Sequence, residues 1–338
     1  MDTLRIGLIG AGDTAGSAHM PSFAANAKVE VVAVADPDIA AARALAERFG
    51  ISRAVKDYRE IIQDPSVQAV DLCVPTFLHY EMAMSALNAG KHVICDKTIA
   101  MNLEEADAMI KAAKELGLWL LVVLNERFMP IHRAVKELIN EKKLGKPFLA
   151  NTFVTGNLLS RMDDASDWVN SFDRAGGGAF FNTGIQIVDL MRYWFGEPTA
   201  VTAAMKRLMT NQENKADDNA SVILEWSDDM MANMVVSYTV ANEPWSEKKF
   251  IYGTGADVSM ISETVVPMFV VEDGMPSMIE IDHRADWWPW SIDLALRHFV
   301  DTIVEGTEPM VDAEDARAAL KIVLAAYESA RDGRRVEI

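Results

Sequence analysis

The chain has 338 residues, of which 50% are hydrophobic, and its formal net charge is −18 at pH 7. A single hydrophobic core stops growing near about 250 to 300 residues, so this length predicts about two domains. The strong negative charge argues against a nucleic-acid partner and against a membrane partner, because phosphate backbones and anionic lipids repel an acidic protein.

The sequence carries no sign of secretion or membrane insertion. It lacks a basic start followed by an apolar stretch and a cleavage site, and no run of about 18 uncharged apolar residues occurs. Cys73 and Cys95 fall in the apolar runs V-D-L-C-V and H-V-I-C. This setting is typical of buried small hydrophobic residues rather than of a disulfide framework. We therefore expect a cytoplasmic protein in a reducing compartment.

Residues 5–36 have the order of a dinucleotide-binding βαβ unit. An apolar strand, the turn G-A-G-D-T-A, a helix-like segment and a second strand follow one another. Gly10 permits the tight turn, Gly12 lets the backbone approach a pyrophosphate, and Ala15 keeps the helix close to the sheet. The phosphates would bind the amides at the N-terminus of that helix.

The acid that ends this unit indicates which cofactor is bound. Asp36 follows the second strand, where a carboxylate accepts hydrogen bonds from both ribose hydroxyls and repels a 2'-phosphate. The predicted cofactor is therefore NAD. Arg43 and other nearby groups leave NADP open as the alternative.

Residues 1–125 alternate β-branched runs with amphipathic segments, which is typical of a doubly wound parallel sheet. The expected strands cover residues 4–9, 29–35, 52–55, 69–74, 91–95 and 118–124. Helices are expected over residues 38–49 and 103–116, because Gly50 and Gly117 follow them and glycine commonly ends a helix. We predict an N-terminal Rossmann domain, so the fold class is α/β.

The remaining residues, 126–338, are predicted to form an α/β domain with a large, mainly antiparallel open sheet. The segment L-G-K-P at 144–147 marks the change to long strand-like runs, several with period-two alternation. The expected strands cover residues 148–155, 199–207, 219–226, 230–240, 248–253 and 257–261, and the expected helices 185–195, 292–305 and 313–331. The last two helices could pack back on the first domain.

An open antiparallel sheet with one apolar face packs on its own helices or on a second subunit. The methionine-rich strand D-D-M-M-A-N-M-V-V-S fits either a core strand or an oligomer face. Both interpretations stay open at this point.

The motifs in this order and spacing resemble the family of glucose-fructose oxidoreductases and inositol dehydrogenases (Gfo/Idh/MocA). The resemblance spans nearly the whole chain. It rests on G-A-G-D-T-A with His19-Met20-Pro21 downstream, V-P-T-F-L-H (74–79), A-G-K-H-V-I-C-D-K-T (89–98), N-E-R-F-M-P (125–130), G-G-G-A-F-F-N-T-G-I-Q-I-V-D-L (176–190) and A-A-Y-E-S-A-R-D-G-R-R-V (325–336). It implies a homodimer or homotetramer formed through the C-terminal sheet. It also implies redox chemistry, with NAD or NADP, at a hydroxyl or carbonyl of a sugar, cyclitol or related small molecule.

The resemblance and the glycine-rich turn together imply a set of cofactor-binding residues. They are Gly10, Gly12, Asp13, Thr14, Ala15, Asp36, Pro75, Thr76, His79, Asp96, Lys97 and Asn125. Thr76 would lie on the nicotinamide side. A structural or cofactor-packing role is favoured for His79 over a catalytic one. No metal site is expected.

Lys97 follows a strand, where α/β sheets place their ligands. The family motif at this point is usually Glu-Lys-Pro, and its lysine lies beside the nicotinamide and contacts the substrate hydroxyl. This chain has Asp96, Lys97 and Thr98, so the lysine is kept, the acid is one methylene shorter and the proline is lost. By resemblance, Lys97 is the predicted catalytic residue.

The segment after the glycine triplet departs from the family pattern. Sugar-oxidising relatives carry an aspartate and, four residues on, a histidine on one helical face, where the histidine exchanges the hydroxyl proton. This chain has Asn182 and Gln186 there, and neither amide exchanges protons near neutral pH, although both can bind hydroxyls. Asp189 is expected to face elsewhere and to be structural.

Three explanations remain for the missing acid/base pair. Lys97 could itself accept the proton, or another group such as His283 could, although a surface position for His283 is slightly favoured. Alternatively, the protein does not carry out ordinary alcohol oxidation. It would then be a cofactor-retaining lyase or glycosidase, or a non-catalytic NAD-binding regulatory protein.

Aromatic and basic residues complete the predicted substrate site. Tryptophan suits the apolar faces of sugar rings. Trp168 is equally consistent with a pocket and a packing position, whereas one member of the 287–290 cluster is expected in the pocket. Arg127 and Arg161 could bind an acidic substrate or form ion pairs. The substrate-binding set is Lys97, Trp168, Asn182, Gln186 and His283.

Overall fold

The computed structural model describes residues 3–210, 216–241, 245–262, 268–282, 284 and 286–338. His283, a predicted substrate-binding residue, lies outside these described residues. Two compact units make up the chain. Unit 1 comprises Met1–Asn125 and Arg284–Arg317, and unit 2 comprises Glu126–His283 and Ala318–Ile338.

The strands, in chain order, are β1 (Leu4–Ile9), β2 (Val29–Ala35), β3 (Ala54–Val55), β4 (Ala69–Leu72), β5 (His92–Cys95), β6 (Leu120–Val122), β7 (Pro147–Thr155), β8 (Ala200–Lys206), β9 (Asn219–Glu225), β10 (Met231–Ser237), β11 (Ser246–Gly253), β12 (Ala256–Ile261), β13 (Met268–Glu272), β14 (Met275–Met278) and β15 (Val336–Glu337). The α-helices are α1 (Met20–Ala24), α2 (Ile39–Phe49), α3 (Arg59–Ile62), α4 (His79–Asn88), α5 (Leu103–Leu116), α6 (Pro130–Asn140), α7 (Leu159–Asp163), α8 (Phe172–Ala175), α9 (Ile185–Phe195), α10 (Trp287–Glu305) and α11 (Ala313–Asp332). Two π-helical turns, Ala15–His19 and Phe180–Gly184, precede α1 and α9.

Unit 1 contains a six-stranded parallel sheet with the order β3-β2-β1-β4-β5-β6. The order reverses between β1 and β4, and ligands of such sheets bind at the carboxyl ends of the strands near this point. The predicted doubly wound parallel sheet is confirmed.

Helices α2 and α5 lie where the sequence predicts, except that α2 begins one residue later, at Ile39. The Asp38 carboxylate accepts the N–H groups of Ala40 and Ala41 at the start of α2, and Gly50 ends that helix in the left-handed conformation. A similar pair, Asn102 and Gly117, bounds α5. These side chains and glycines satisfy backbone groups that a helix leaves unpaired at its ends.

The helix α10 differs from its prediction at its start. It begins at Trp287 rather than at residue 292, because Pro289 falls in the first helical turn, where a proline removes no helical hydrogen bond. The tryptophans of the 287–290 cluster therefore lie on the helix. Trp290 is buried beneath the Arg284 guanidinium, at 4.9 Å from ring centroid to Cζ, and Trp288 is exposed. Within unit 1, α10 packs against α1 and the π-turn that precedes it.

Unit 2 contains a nine-stranded sheet with the order β14-β13-β12-β11-β7-β10-β9-β8-β15. Neighbouring strands are antiparallel except β7 and β10, which are parallel. The predicted mainly antiparallel sheet is confirmed. Its strands β13, β14 and β15 were not predicted.

The methionine-rich strand contributes to both faces of this sheet. Met234 is fully buried, whereas Met231 is 44% exposed on the opposite face. On that exposed face, the Asn233 amide donates to the Asn151 side chain at 2.8 Å. Oligomerisation through this sheet stays a prediction. Among the described residues, no helix is long and apolar enough to cross a membrane.

Candidate functional site

The glycine-rich turn of unit 1 follows β1 directly. Gly10 has φ of 101°, and a Cβ there would lie 2.2 Å from the Cys73 carbonyl oxygen, so both conformation and space require glycine. A Cβ at Gly12 would meet nothing within 4 Å, so the backbone is open to approach at this point. Ala15 is fully buried in the core cluster that also contains Leu8. The small side chain lets the π-turn lie close against the sheet.

Asp13 and Thr14 lie on the outer side of this turn. Asp13 is exposed and Thr14 is half-buried, and the Asp13 carbonyl accepts the Ser17 hydroxyl at 2.6 Å. The segment after the turn winds as a π-helical turn before it becomes α1. The sequence predicted a helix here but gave no sign of the wider winding.

Asp36 ties the end of β2 to the glycine-rich turn. One carboxylate oxygen accepts the N–H of Ala11 at 2.8 Å, and the other accepts the N–H of Asp38 at 2.8 Å. A carboxylate has about four acceptor sites, so acceptor capacity remains after these two bonds. The half-buried acid is therefore fixed in place and can accept further donors.

The segment after β4 buries His79 between two backbone carbonyl groups. Pro75 precedes a short 3-10 turn over Thr76–Leu78, and Thr76 is buried. His79 is fully buried, with Nδ1 2.7 Å from the Thr98 carbonyl oxygen and Nε2 2.8 Å from the Val74 carbonyl oxygen. Burial lowers the pKa of His79. Because both ring nitrogens face carbonyls, the geometry favours a structural role over a catalytic one.

Asp96 and Lys97 follow β5 at the carboxyl edge of the same sheet. The Asp96 carboxylate accepts the backbone N–H of Lys97 at 2.8 Å, and the N–H of Asp96 donates to the Leu72 carbonyl at 3.0 Å. The Lys97–Thr98 peptide bond is cis. Both Asp96 and Lys97 are half-buried. The aspartate therefore holds the backbone that carries the predicted catalytic lysine.

Asn125 is buried just after β6. Its Nδ2 donates to the Ser291 hydroxyl at 2.6 Å, and that hydroxyl donates to the Trp288 carbonyl at 2.7 Å. This chain of bonds joins the end of the sheet to the first turn of α10 within unit 1. It is a structural contact that the predicted cofactor role does not explain.

In unit 2, a buried carboxylate holds the glycine-rich loop that precedes Asn182. Asp217 accepts the N–H of Gly178 at 2.9 Å and that of Phe180 at 3.0 Å, and Tyr327 donates its hydroxyl to the same carboxylate. A Cβ at Gly178 would lie 1.8 Å from the Asp217 backbone oxygen. The loop therefore requires glycine there. Burial raises the pKa of Asp217.

Asn182 and Gln186 are the half-buried residues of the run 177–192, whose other members are buried. Their helical setting differs from the prediction, because Asn182 lies in the π-turn Phe180–Gly184 and Gln186 lies in the first turn of α9. The two amides nevertheless share the less buried side of this segment.

Tyr238, which the sequence did not predict as a site residue, contacts this segment. Its hydroxyl lies 2.5 Å from the Thr183 hydroxyl and also hydrogen-bonds the Asn182 side chain. Tyr238 is fully buried, and burial raises its pKa to about 12. The tyrosine therefore remains protonated near neutral pH and helps to orient the amide.

Asp189 and Arg127 form a buried ion pair in unit 2. The Asp189 carboxylate accepts the Arg127 Nε at 2.8 Å and Nη2 at 2.5 Å, and it also lies 3.3 Å from Arg192 Nη1. The Arg127 guanidinium stacks over the Tyr193 ring at 5.4 Å. Of the two open interpretations of Arg127, the ion pair is therefore observed, and Asp189 has the structural environment expected of it.

Arg161 and Trp168 flank a short turn before the glycine loop. Arg161 pairs with Asp167 at 2.7 Å near the surface, and Asp167 caps the 3-10 turn that begins at Trp168. Trp168 is half-buried. The ion-pair interpretation of Arg161 is thus also observed.

The structure assembles two groups that the sequence did not predict as clusters. In unit 1, His19, Cys73 and Asp96 offer ligand atoms within 4.8 Å of one another. The sequence signal is weak: Cys73 lies one residue beyond β4, is half-buried, and shares a strand face with Asp71.

The second group, in unit 2, is a buried charge network around Lys249. Lys249 Nζ bonds the Glu247 carboxylate and lies 3.3 Å from Glu126 Oε2. His132 Nδ1 lies 2.7 Å from the Glu126 carbonyl oxygen. Burial, together with the charge of Lys249, lowers the pKa of His132 to about 3. The ring is therefore neutral in the folded protein.

The parallel sheet, its glycine-rich turn and the acid after β2 define a dinucleotide-binding protein of the Rossmann class with a second α/β unit. Residues 4–124 match the family model described as an oxidoreductase family with an NAD-binding Rossmann fold, and residues 132–259 match the C-terminal domain model of the same family. The chain belongs to the Gfo/Idh/MocA family of NAD-dependent oxidoreductases.

Three comparisons illustrate the relationship. A levoglucosan dehydrogenase of Pseudarthrobacter phenanthrenivorans is 33% identical over 61% of this chain, and the match spans 54% of that relative. A myo-inositol 2-dehydrogenase of Thermotoga maritima is 27% identical over 99% of this chain and 98% of its own length. A solved levoglucosan dehydrogenase, in complex with NADH and levoglucosan, superposes with a TM-score of 0.90 at 23% identity, covering 100% of this chain and 99% of that chain. The last comparison shows a shared fold.

Proposed function

We propose that this protein is an NAD-dependent dehydrogenase that transfers a hydride between the nicotinamide and a hydroxyl or carbonyl carbon of a sugar, sugar derivative or cyclitol. The names of the relatives, a levoglucosan dehydrogenase and a myo-inositol 2-dehydrogenase, support a polyhydroxylated substrate. The observation that carries the proposal is the pair of half-buried amides, Asn182 and Gln186, in an otherwise buried segment. Carboxamides both donate to and accept from hydroxyl groups.

The residues after β1 and β2 fit NAD. Gly12 leaves the backbone open to approach, and the amides that follow it can bind a pyrophosphate. Asp36 is fixed by two backbone N–H groups and keeps acceptor capacity for a ribose diol, whereas its charge repels the 2'-phosphate of NADP. When bound, NAD supplies the hydride acceptor.

We assign proton transfer to Lys97. The reaction moves a hydride from the carbon and a proton from its hydroxyl oxygen, and an amine can accept that proton whereas the amides of Asn182 and Gln186 cannot. Asp96 holds the Lys97 backbone through its N–H. Asn182, oriented by Tyr238, and Gln186 would bind the hydroxyls. Trp168 would pack on the apolar face of the substrate ring.

The proposal is tested by incubating the purified protein with NAD or NADP and a panel of sugars, sugar acids and inositols, following the absorbance of reduced nicotinamide. We expect turnover with one compound class and a preference for NAD. Lys97→Met should abolish turnover even at a saturating concentration of NAD. Lys111→Met is the matched control, because Lys111 is exposed on α5 and pairs with Glu115 at 3.8 Å. Full turnover by Lys97→Met would contradict the assignment.

A second candidate function is favoured by the same amides, since they replace the usual acid/base pair. The protein would then retain its cofactor as a lyase or glycosidase, or bind NAD without catalysis. Product analysis separates the candidates. A dehydrogenase forms reduced nicotinamide in proportion to product, whereas a cofactor-retaining enzyme forms product without net reduction. A protein that binds NAD tightly and forms no product would be the regulatory alternative.

A further inference from the structure

A cluster of metal-ligand side chains lies at the carboxyl edge of the unit 1 sheet. A ring nitrogen of His19, the sulfur of Cys73 and a carboxylate oxygen of Asp96 all lie within 4.8 Å of one another. The fold explains their proximity: Leu72 pairs with Cys95 in neighbouring strands, so the next residues, Cys73 and Asp96, lie side by side. His19 ends the π-turn that follows the glycine-rich turn.

The His19 ring has one nitrogen without a hydrogen-bond partner. Its side chain is fully buried, and Nδ1 lies 2.8 Å from the Asp71 carboxylate. Nε2 is buried and has no partner. A buried polar atom without a partner is energetically unfavourable. A carboxylate on one ring nitrogen and a metal on the other is the usual arrangement of metal-binding histidines, because the carboxylate fixes the tautomer.

The donor set selects the kind of ion. Imidazole nitrogen, thiolate sulfur and carboxylate oxygen together are ligands of zinc and related transition metals, whereas Mg²⁺ and Ca²⁺ prefer oxygen alone. Ligands about 2.0–2.3 Å from a tetrahedral zinc ion lie roughly 3.3–3.8 Å apart, so the observed separations require at most small side-chain shifts. Cys73 and Asp96 are half-buried, which gives an ion access.

We propose that His19, Cys73 and Asp96 bind a divalent transition-metal ion of the zinc type, with Asp71 as the residue that orients His19. Three protein ligands leave the fourth tetrahedral position to water or another small ligand. The thiol proton of Cys73 is released to solvent when the sulfur binds the ion.

The experiment uses the full-length protein, freed of metal by a chelator and then titrated with Zn²⁺ by calorimetry and with Co²⁺ by absorption. We expect one equivalent of each ion per chain, and a near-ultraviolet thiolate-to-Co²⁺ charge-transfer band. Cys73→Ser should remove the band and weaken Zn²⁺ binding at least tenfold. Asp71→Asn should weaken binding by about 10- to 100-fold while the band persists, as expected for a residue that acts through His19.

Cys95→Ala is the matched control, because Cys95 is a buried thiol in the adjacent strand and is not in the ligand group. It should bind both ions as the wild type does. Absence of a saturable equivalent in the wild-type protein overturns the proposal without reference to any variant. So does a Co²⁺ spectrum that Cys73→Ser leaves unchanged. These readouts do not depend on turnover, so their failure is distinct from failure of the dehydrogenase proposal.

Discussion

Asp217 fastens the loop that precedes Asn182, and its substitution tests whether that loop positions the amide. Asp217→Asn keeps the shape of the side chain but replaces one acceptor oxygen by an NH₂ group. One of the bonds from Gly178 or Phe180, at 2.9 and 3.0 Å, is then lost. A hydrogen bond to a charged group contributes about 1.5–3 kcal/mol. At about 2–4 °C per kcal/mol, a loss of roughly 2 kcal/mol lowers Tm by about 4–8 °C.

Asp218→Asn is a control with the same chemistry at a different loop. The Asp218 carboxylate accepts the N–H groups of Leu208, Met209 and Thr210 at 2.8, 2.8 and 2.9 Å. We expect a similar loss of Tm, measured by thermal unfolding. Only Asp217→Asn should raise KM for the substrate identified by the panel, by several-fold, with NAD affinity unchanged. Equal KM values in the two variants would refute the positioning role, and an unchanged Tm would refute the energetic estimate.

Three further predictions follow from single side chains. Asp36→Ala should weaken NAD binding by about 1.5–3 kcal/mol, or roughly 10- to 150-fold in Kd, with little change for NADP. Equal losses of affinity for both cofactors in calorimetry would contradict this prediction. Tyr238→Phe removes the hydroxyl that bonds Asn182 and should raise substrate KM more than it lowers NAD affinity; unchanged steady-state kinetics would exclude the contact from function. The pKa of His132 is lowered to about 3, so between that value and about 6.5 the unfolded chain binds a proton that the folded chain does not. Stability should therefore fall as the pH drops through this window, by up to about 1.4 kcal/mol per pH unit, and His132→Gln should flatten that slope in urea unfolding.

Local signals made much of unit 1 predictable. Helix α2 has a capping aspartate before it and a glycine after it, and both act within a few residues of the helix, so its bounds could be read directly. Helix α10 begins five residues before its predicted start, and Pro289 lies in its first turn, where a proline leaves the helical hydrogen bonds intact.

In unit 2, the strands that were not predicted have no local sequence pattern. The four residues of β14 are all exposed and include Pro276, so they show no alternation, and β15 has two residues that pair with β8 from far along the chain. The parallel pairing of β7 with β10 was equally invisible, because side-chain alternation records which face is buried and not strand direction.

The site residues also divide into those with a local sequence signal and those without one. The positions of Gly10 in the turn after β1 and of Asp36 after β2 could be predicted, because both belong to a short motif with fixed spacing. The contact of Tyr238 with Asn182 depends on how a strand packs against a π-turn, and the cluster around His19 depends on two neighbouring strand ends. Such contacts arise from tertiary packing, which one sequence does not reveal.

The assignment of α10 to unit 1 has a consequence for the order in which the chain can fold. Residues 284–317 are made after nearly all of unit 2, yet Asn125 bonds Ser291, and Lys28 pairs with Asp301 at 2.6 Å within unit 1. During synthesis from the N-terminus, more than 150 further residues are therefore added after the parallel sheet before α10 is made. Until then, the surface of unit 1 that α10 covers stays exposed. A fragment that stops before α10 should bind hydrophobic dyes and unfold without a cooperative transition.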